Sequence, residues 1–158
     1  GVSPNDVPLI ARIEEETRGR EKFHGIYVNM QPHTIERKRI LDRLKNLPYI
    51  EGIPITLRDG GLDKETYLCE LASHKYSLCW DGMGIDSYRV WESYYLHTKP
   101  IVSKKMSCIL MSLNLPHYAW DFINSNFFWE WGEIFNDYQS IYLNHWKDLF
   151  NGQNINSK

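Results

Sequence analysis

The chain has 158 residues, of which 42% are hydrophobic, 14% aromatic and 24% charged: enough apolar material for one domain with a buried core, and too many aromatics for a disordered chain. Lys and Arg number 18 against 20 Asp and Glu, a formal net charge of −2, so the cationic excess that a phosphate backbone demands is missing and nucleic acid is not an expected partner. No apolar run approaches the roughly 20 residues of a membrane span, and the opening GVSPNDVPLIARIEEE does not have the pattern of a signal peptide.

In chain order, residues 1–22 read as a charged lead-in with a short helix through Leu9, Ile10 and Ile13; a single domain is expected over 23–151 and a loose tail over 152–158. Gly25-Ile26-Tyr27-Val28-Asn29 is β-branched and aromatic, the composition of a buried strand. Thr34 is placed to cap a helix running to about Leu47, with Glu36 and Arg37 in its first turn and Ile40, Leu41 and Leu44 on one face. Ile53 to Leu57 reads as a second strand, whose Pro54 suits an edge or a strand start. After the loop Arg58-Asp59-Gly60-Gly61, the pattern from Asp63 to His74 is helical, with Tyr67, Leu68 and Leu71 inward. Tyr76 to Trp80 is a third strand, Asp81-Gly82-Met83-Gly84 a loop, and about Ser87 to Leu96 a helix. Pro100 to Val102 and Tyr118 to Trp120 complete the strands. Beyond Asn124 the aromatics from Phe127 to Phe150 recur at helical spacing, which predicts core or interdomain packing.

Cys69, Cys79 and Cys108 cannot all pair with one another and none has metal-ligand spacing, so they are expected as small buried hydrophobes in a reducing, cytoplasmic compartment. Strands alternating with helices predict an α/β, Rossmann-like domain with a mainly parallel sheet and helices on both faces. Such sheets bind ligands beyond the carboxyl ends of their strands. That rule singles out Asn29 to Thr34, Arg58 to Gly61 and Asp81 to Arg89.

The densest chemistry lies in Trp80-Asp81-Gly82-Met83-Gly84-Ile85-Asp86-Ser87-Tyr88-Arg89-Val90-Trp91-Glu92. Gly82 and Gly84 let the backbone turn and approach a ligand closely. Asp86 is a suitable N-cap, and the free amides of the following turn attract phosphate. Arg89 in that turn can add a bidentate contact, and the Glu92 carboxylate, one turn on, can accept hydrogen bonds from sugar hydroxyls. The third glycine of a dinucleotide fingerprint is missing, and so is a P-loop Gly-Lys-Ser/Thr. On spacing alone, a plain turn followed by an exposed Arg–Glu pair fits equally well. His33 is the one histidine in a candidate site loop; the other five show no ligand spacing.

The run from Tyr67 to Leu78, followed by Gly82-Met83-Gly84-Ile85-Asp86-Ser87-Tyr88-Arg89-Val90-Trp91-Glu92 and Lys99-Pro100-Ile101-Val102, resembles the exostosin-type glycosyltransferase signature. Tyr27-Val28-Asn29 with Thr34, Glu36 and Arg37, and the stretch from Leu115 to Asp121, resemble the flanking elements, so the likeness covers about residues 24–123. It implies the nucleotide-sugar-binding half of a GT-B enzyme that transfers a sugar from a UDP- or GDP-linked donor to a glycan or other hydroxyl acceptor. By analogy Gly82, Gly84, Asp86 and Ser87 face the diphosphate, Arg89 neutralises it, Glu92 binds the ribose, and Asn29, Thr34 and Arg37 complete the site. No metal or other cofactor is implied, in keeping with the lack of an Asp-x-Asp motif. Family members often carry Pro-Arg-Gly where this chain has Trp80-Asp81-Gly82, so either Asp81 points away or Lys104, Lys105 or Arg58 supplies the missing charge. The acceptor-binding half is expected from another domain, in the same or another chain. The alternative is a nucleotide-binding module without transferase activity.

Overall fold

A computed structural model describes residues 2–50, 52–84 and 87–120, together with the backbone of 128–131. Within them a short 3₁₀ turn, Pro4–Asp6, leads into α1 (Val7–Thr17), followed by β1 (Phe23–Asn29), α2 (Ile35–Leu44), β2 (Tyr49–Ile50), β3 (Ile53–Arg58) and α3 (Lys64–Ser73). Then come β4 (His74–Cys79), α4 (Tyr88–Tyr95), β5 (Lys99–Ser103), α5 (Lys104–Ser112), β6 (His117–Trp120) and β7 (Phe128–Trp131). The sheet runs β2-β3-β1-β4-β5-β6-β7. The β3–β1, β1–β4, β4–β5 and β5–β6 contacts are parallel, and β2 and β7 close the two edges antiparallel. This is the expected Rossmann-like α/β architecture.

Alternation along the strands sorts the core onto two faces. Ile26, Val28, Leu78 and Ile101 pack with Ile40, Leu41 and Leu44 of α2. Their neighbours turn the other way: Tyr27 packs with Leu68 and Leu71 of α3 and with Ile10 and Ile13 of α1, and Cys79 and Val102 pack with Val90 of α4 and Met106 of α5. The segment read as a lead-in therefore contributes α1 to the same core. Thr34 caps α2, its hydroxyl accepting from Arg37 N at 3.1 Å, and Asp63 and Ser103 cap α3 and α5 in the same way.

The parallel strands follow the order 2-1-3-4-5: α2 carries the chain from β1 outward to β3, and α3 carries it back past β1 to β4 on the opposite face. The carboxyl ends of β1 and β4 thus flank the switch point of a doubly wound sheet, where such folds hold ligands.

Two sequence expectations need correction, and one helix had no counterpart among them. Cys69 and Cys108 are exposed and only Cys79 is buried, because the first two fall on the outer faces of α3 and α5. Residues 128–131, expected in a helix, form β7 against β6, strand pairing having overridden the helical spacing of the aromatics. Helix α5, which the sequence reading left unassigned, starts directly at the end of β5 with no intervening loop. The rest of the aromatic stripe and the tail lie outside the described residues.

Candidate functional site

At the switch point, the loops after β1, β3 and β4 enclose a cavity of about 580 Å³, within the ~300–1,000 Å³ usual for small-molecule sites. The first wall is built from Arg37. Its backbone amide is fixed by the Thr34 cap, and the residue as a whole is 5% exposed. Nε donates to the Asp81 carbonyl at 2.7 Å and Nη2 to the Trp80 carbonyl at 2.8 Å, so α2 grips the strand end from which the Gly82 loop springs. A Cβ on Gly82 would stand 3.1 Å from Arg37 Nη2, a close fit that glycine leaves open. The loop closes on itself through Gly82 N donating to Gly84 O at 3.0 Å.

Asp81 resolves the sequence question of where its charge goes. Its Oδ1 accepts from Ser103 Oγ at 2.7 Å, and Asp81 does not line the cavity. Burial raises its carboxyl above the ordinary value, and the Ser103 bond offsets part of that rise. Arg58 is turned away as well, paired to Glu70 at 3.0 Å. The cation lying under the loop is Arg37.

The second wall is the start of α4. Ser87 is its N-cap, yet the Ser87 side chain makes no cap bond, unlike the caps of α2, α3 and α5. Ser87 is 8% exposed and its Oγ is buried without a partner; Arg89 Nε is likewise buried without a partner. Burial lowers the Arg37 guanidinium below its ordinary value, and the nearby charge of Arg89 lowers it further. Two guanidiniums therefore face one cavity, and neither forms an ion pair with a described residue.

The floor is Glu92, 1% exposed. The exposed Arg89–Glu92 pair that spacing alone equally allowed does not form. Glu92 Oε1 accepts from Lys64 Nζ at 2.5 Å and Oε2 from Tyr67 OH at 2.6 Å. Lys64 Nζ also lies 3.1 Å from Asp6 Oδ2. Burial alone would lower the Lys64 ammonium, but the two carboxylates outweigh it and hold it above its ordinary value. Tyr67 is driven well above the usual phenol range, first by burial and then by the Glu92 charge.

Of the site residues expected from sequence, Asn29, Arg37, Gly82, Gly84, Ser87, Arg89 and Glu92 line the cavity, as does His33. Thr34 does not, its hydroxyl being engaged in capping α2. Asp86 lies outside the described residues, and the N-cap position expected for it is held by Ser87. Gln31, Gly60 and Gly61 lie in the loops that the switch-point rule singled out; the sequence reading missed Leu62, Lys64 and Tyr67 as lining residues. Gly60 and Gly61 have φ of +91° and +78°, the left-handed region that glycine favours, and a Cβ on Gly60 would meet Gln31 Cγ at 2.7 Å. For Lys64 there was a signal: a cation in the first turn of a helix opposes the helix dipole. Met83 and Tyr88 stand exposed at the rim.

No family model matches the chain, and no curated protein matches it. What the cavity can do is therefore read from its chemistry. Among the described residues, Arg37, Arg89 and Lys64 set three positive charges in its lining against the one carboxylate of Glu92. Ser87 Oγ and Arg89 Nε are donors that folding has buried without acceptors. An unpaired buried donor costs about 1–3 kcal/mol, which an anionic ligand at the start of α4 would recover.

Proposed function

We propose that this chain is the donor domain of an exostosin-like, GT-B-type glycosyltransferase and holds the diphosphate of a UDP- or GDP-linked sugar at the start of α4. The observation that carries this reading is the pair Arg37 and Arg89, two guanidiniums facing one cavity beside the unpartnered Ser87 hydroxyl. Like charges brought together without counter-ions among the described residues call for a polyanion, and a diphosphate supplies two negative charges.

Arg89 contacts the phosphates directly, with the first-turn amides of α4 and Ser87 Oγ as further donors. Arg37 acts from beneath: it fixes the Trp80 and Asp81 carbonyls and adds its charge through the space left at Gly82. When the bond from the sugar to the diphosphate breaks, negative charge grows on the departing phosphate, and these preorganised groups stabilise it without rearranging. Glu92, already oriented by Tyr67, accepts hydrogen bonds from the ribose hydroxyls. The acceptor glycan and its binding domain approach the carboxyl edge of the sheet.

Calorimetric titration of pyrophosphate, UDP and GDP, each with and without EDTA, tests the site. Binding of pyrophosphate and of at least one nucleotide is expected, and it survives chelation because guanidiniums and backbone amides carry the charge. Absence of binding, or binding abolished by EDTA and restored by Mg²⁺, refutes the reading. Assaying transfer and hydrolysis of UDP- and GDP-sugars separates a transferase from a binding module that does not turn over.

A further inference from the structure

Glu92 lies almost wholly beneath the cavity surface, and both its oxygens are already engaged. A ligand hydroxyl reaches this carboxylate only if one of its covering groups gives way. Tyr67 is not that group: its ring is buried between α3 and the sheet, packed with Tyr27 and Leu68. Lys64 is different. Its side chain is 39% exposed, its stem is flexible, and its ammonium already touches a second carboxylate, Asp6, in the turn before α1. An empty pocket needs such a cation, because a buried carboxylate without a counter-ion is strongly disfavoured. Lys64 also occupies the first position of α3, where a cation is opposed by the helix dipole.

We propose that Lys64 is a displaceable counter-ion: it holds the Glu92 charge in the empty pocket and moves onto Asp6 when ligand hydroxyls donate to Glu92, which makes Asp6 a positioning residue for diol recognition. This rests on the donor-site reading, which supplies the ribose diol. It assigns a role in the site to the N-terminal turn, well outside residues 24–123. The exchange is feasible because Lys64 Nζ to Asp6 Oδ2 is 3.1 Å before any movement, so the ammonium trades one carboxylate for another without entering water unpaired.

The test is calorimetry on the full chain and on Asp6→Asn, with UDP, GDP, their 2′,3′-dideoxy analogues and pyrophosphate. Asp6 makes no side-chain cap bond to α1, so the isosteric Asn is expected to leave the fold intact, checked by an unchanged thermal transition. Ribonucleoside diphosphate binding is expected to weaken about three- to fivefold, the worth of a partly exposed ion pair. The dideoxy analogues and pyrophosphate are expected not to weaken at all. Simple electrostatics predicts the opposite sign, since removing a negative charge beside a cationic pocket tightens every anion. In a Lys64→Gln background the Asp6 substitution is expected to have no effect on any ligand. Equal or tighter ribonucleotide binding by Asp6→Asn overturns the exchange, as does a parallel loss for the dideoxy analogues or wild-type affinity that ignores the hydroxyls; in each of these the diphosphate site at Arg37, Ser87 and Arg89 stands. Failure of the wild type to bind pyrophosphate or any nucleotide overturns both.

Discussion

Replacing Arg89 by Met separates a ligand-binding arginine from a structural one, because the two roles predict opposite patterns. Met keeps an unbranched apolar stem at this position of α4 and removes only the guanidinium. In the empty protein that guanidinium contributes little to stability: its Nε is buried without a partner, and its charge lies close enough to Arg37 to lower that residue's proton affinity. Deleting it removes a desolvated donor and a like-charge repulsion, so Arg89→Met is expected to unfold within about 1 kcal/mol of the wild type, or at slightly higher denaturant. The same change removes charge-assisted hydrogen bonds to phosphate, worth about 1.5–3 kcal/mol, so pyrophosphate and nucleoside diphosphate bind about 10- to 150-fold more weakly. A free nucleoside, lacking phosphate, loses little. Urea denaturation with calorimetry on the three ligands reads all of this. A loss of more than about 2 kcal/mol in stability with pyrophosphate affinity unchanged would refute the reasoning and make Arg89 a structural residue.

Arg37→Lys keeps a charge but cannot reproduce the fork that reaches both the Trp80 and Asp81 carbonyls; a loss of about 1–3 kcal/mol is expected by denaturation, together with weaker pyrophosphate binding. Gly84→Ala adds a Cβ that meets nothing within 4 Å, so stability is expected within about 0.5 kcal/mol of the wild type while diphosphate affinity falls, the site of Cβ being where the ligand approaches. Glu14 is held down at about 2, chiefly by its hydrogen bond with Arg18 and then by His97, against an ordinary value of 4.5. A carboxylate with a depressed folded value lends stability above its unfolded value and loses it as pH falls; between pH 4.5 and 2 the wild type is therefore expected to lose on the order of 1–2 kcal/mol more than Glu14→Gln, the exposed Arg18 partner being screened.

The strands β1, β3 and β4 and the helices between them were legible because local signals agreed: alternation around Tyr27, caps at Thr34 and Asp63, glycines at positions 60 and 61. Where one signal was missing the reading failed. Ser103 ends β5 and caps α5 at once, so no turn chemistry announces the helix, and β2 is two residues whose existence depends on its pairing with β3. The cavity's location followed from topology, and seven of nine site residues could be placed there from one motif and its flanks. Their partners could not. Lys64 and Glu92 are 28 residues apart, and Arg37 and the Trp80 carbonyl 43, so only the fold joins them. Nor does any local pattern tell that Asp81 turns to Ser103 instead of the ligand.

The two-residue β2 has a consequence for how molecules of this protein meet one another. An outer parallel strand with a bare edge is a template on which a second copy can extend the sheet. Here β2 folds back over Ile53 and Pro54, the Ile55 amide donates to Pro48 O at 3.0 Å, and Pro54 has no amide to offer. Among the described residues, the part of β3 that β2 leaves unpaired is Thr56, Leu57 and Arg58, and it ends in a charged side chain tethered to Glu70. So short a run, with a charge at its tip, offers an incoming strand few backbone bonds, so β2 works against sheet extension on that side.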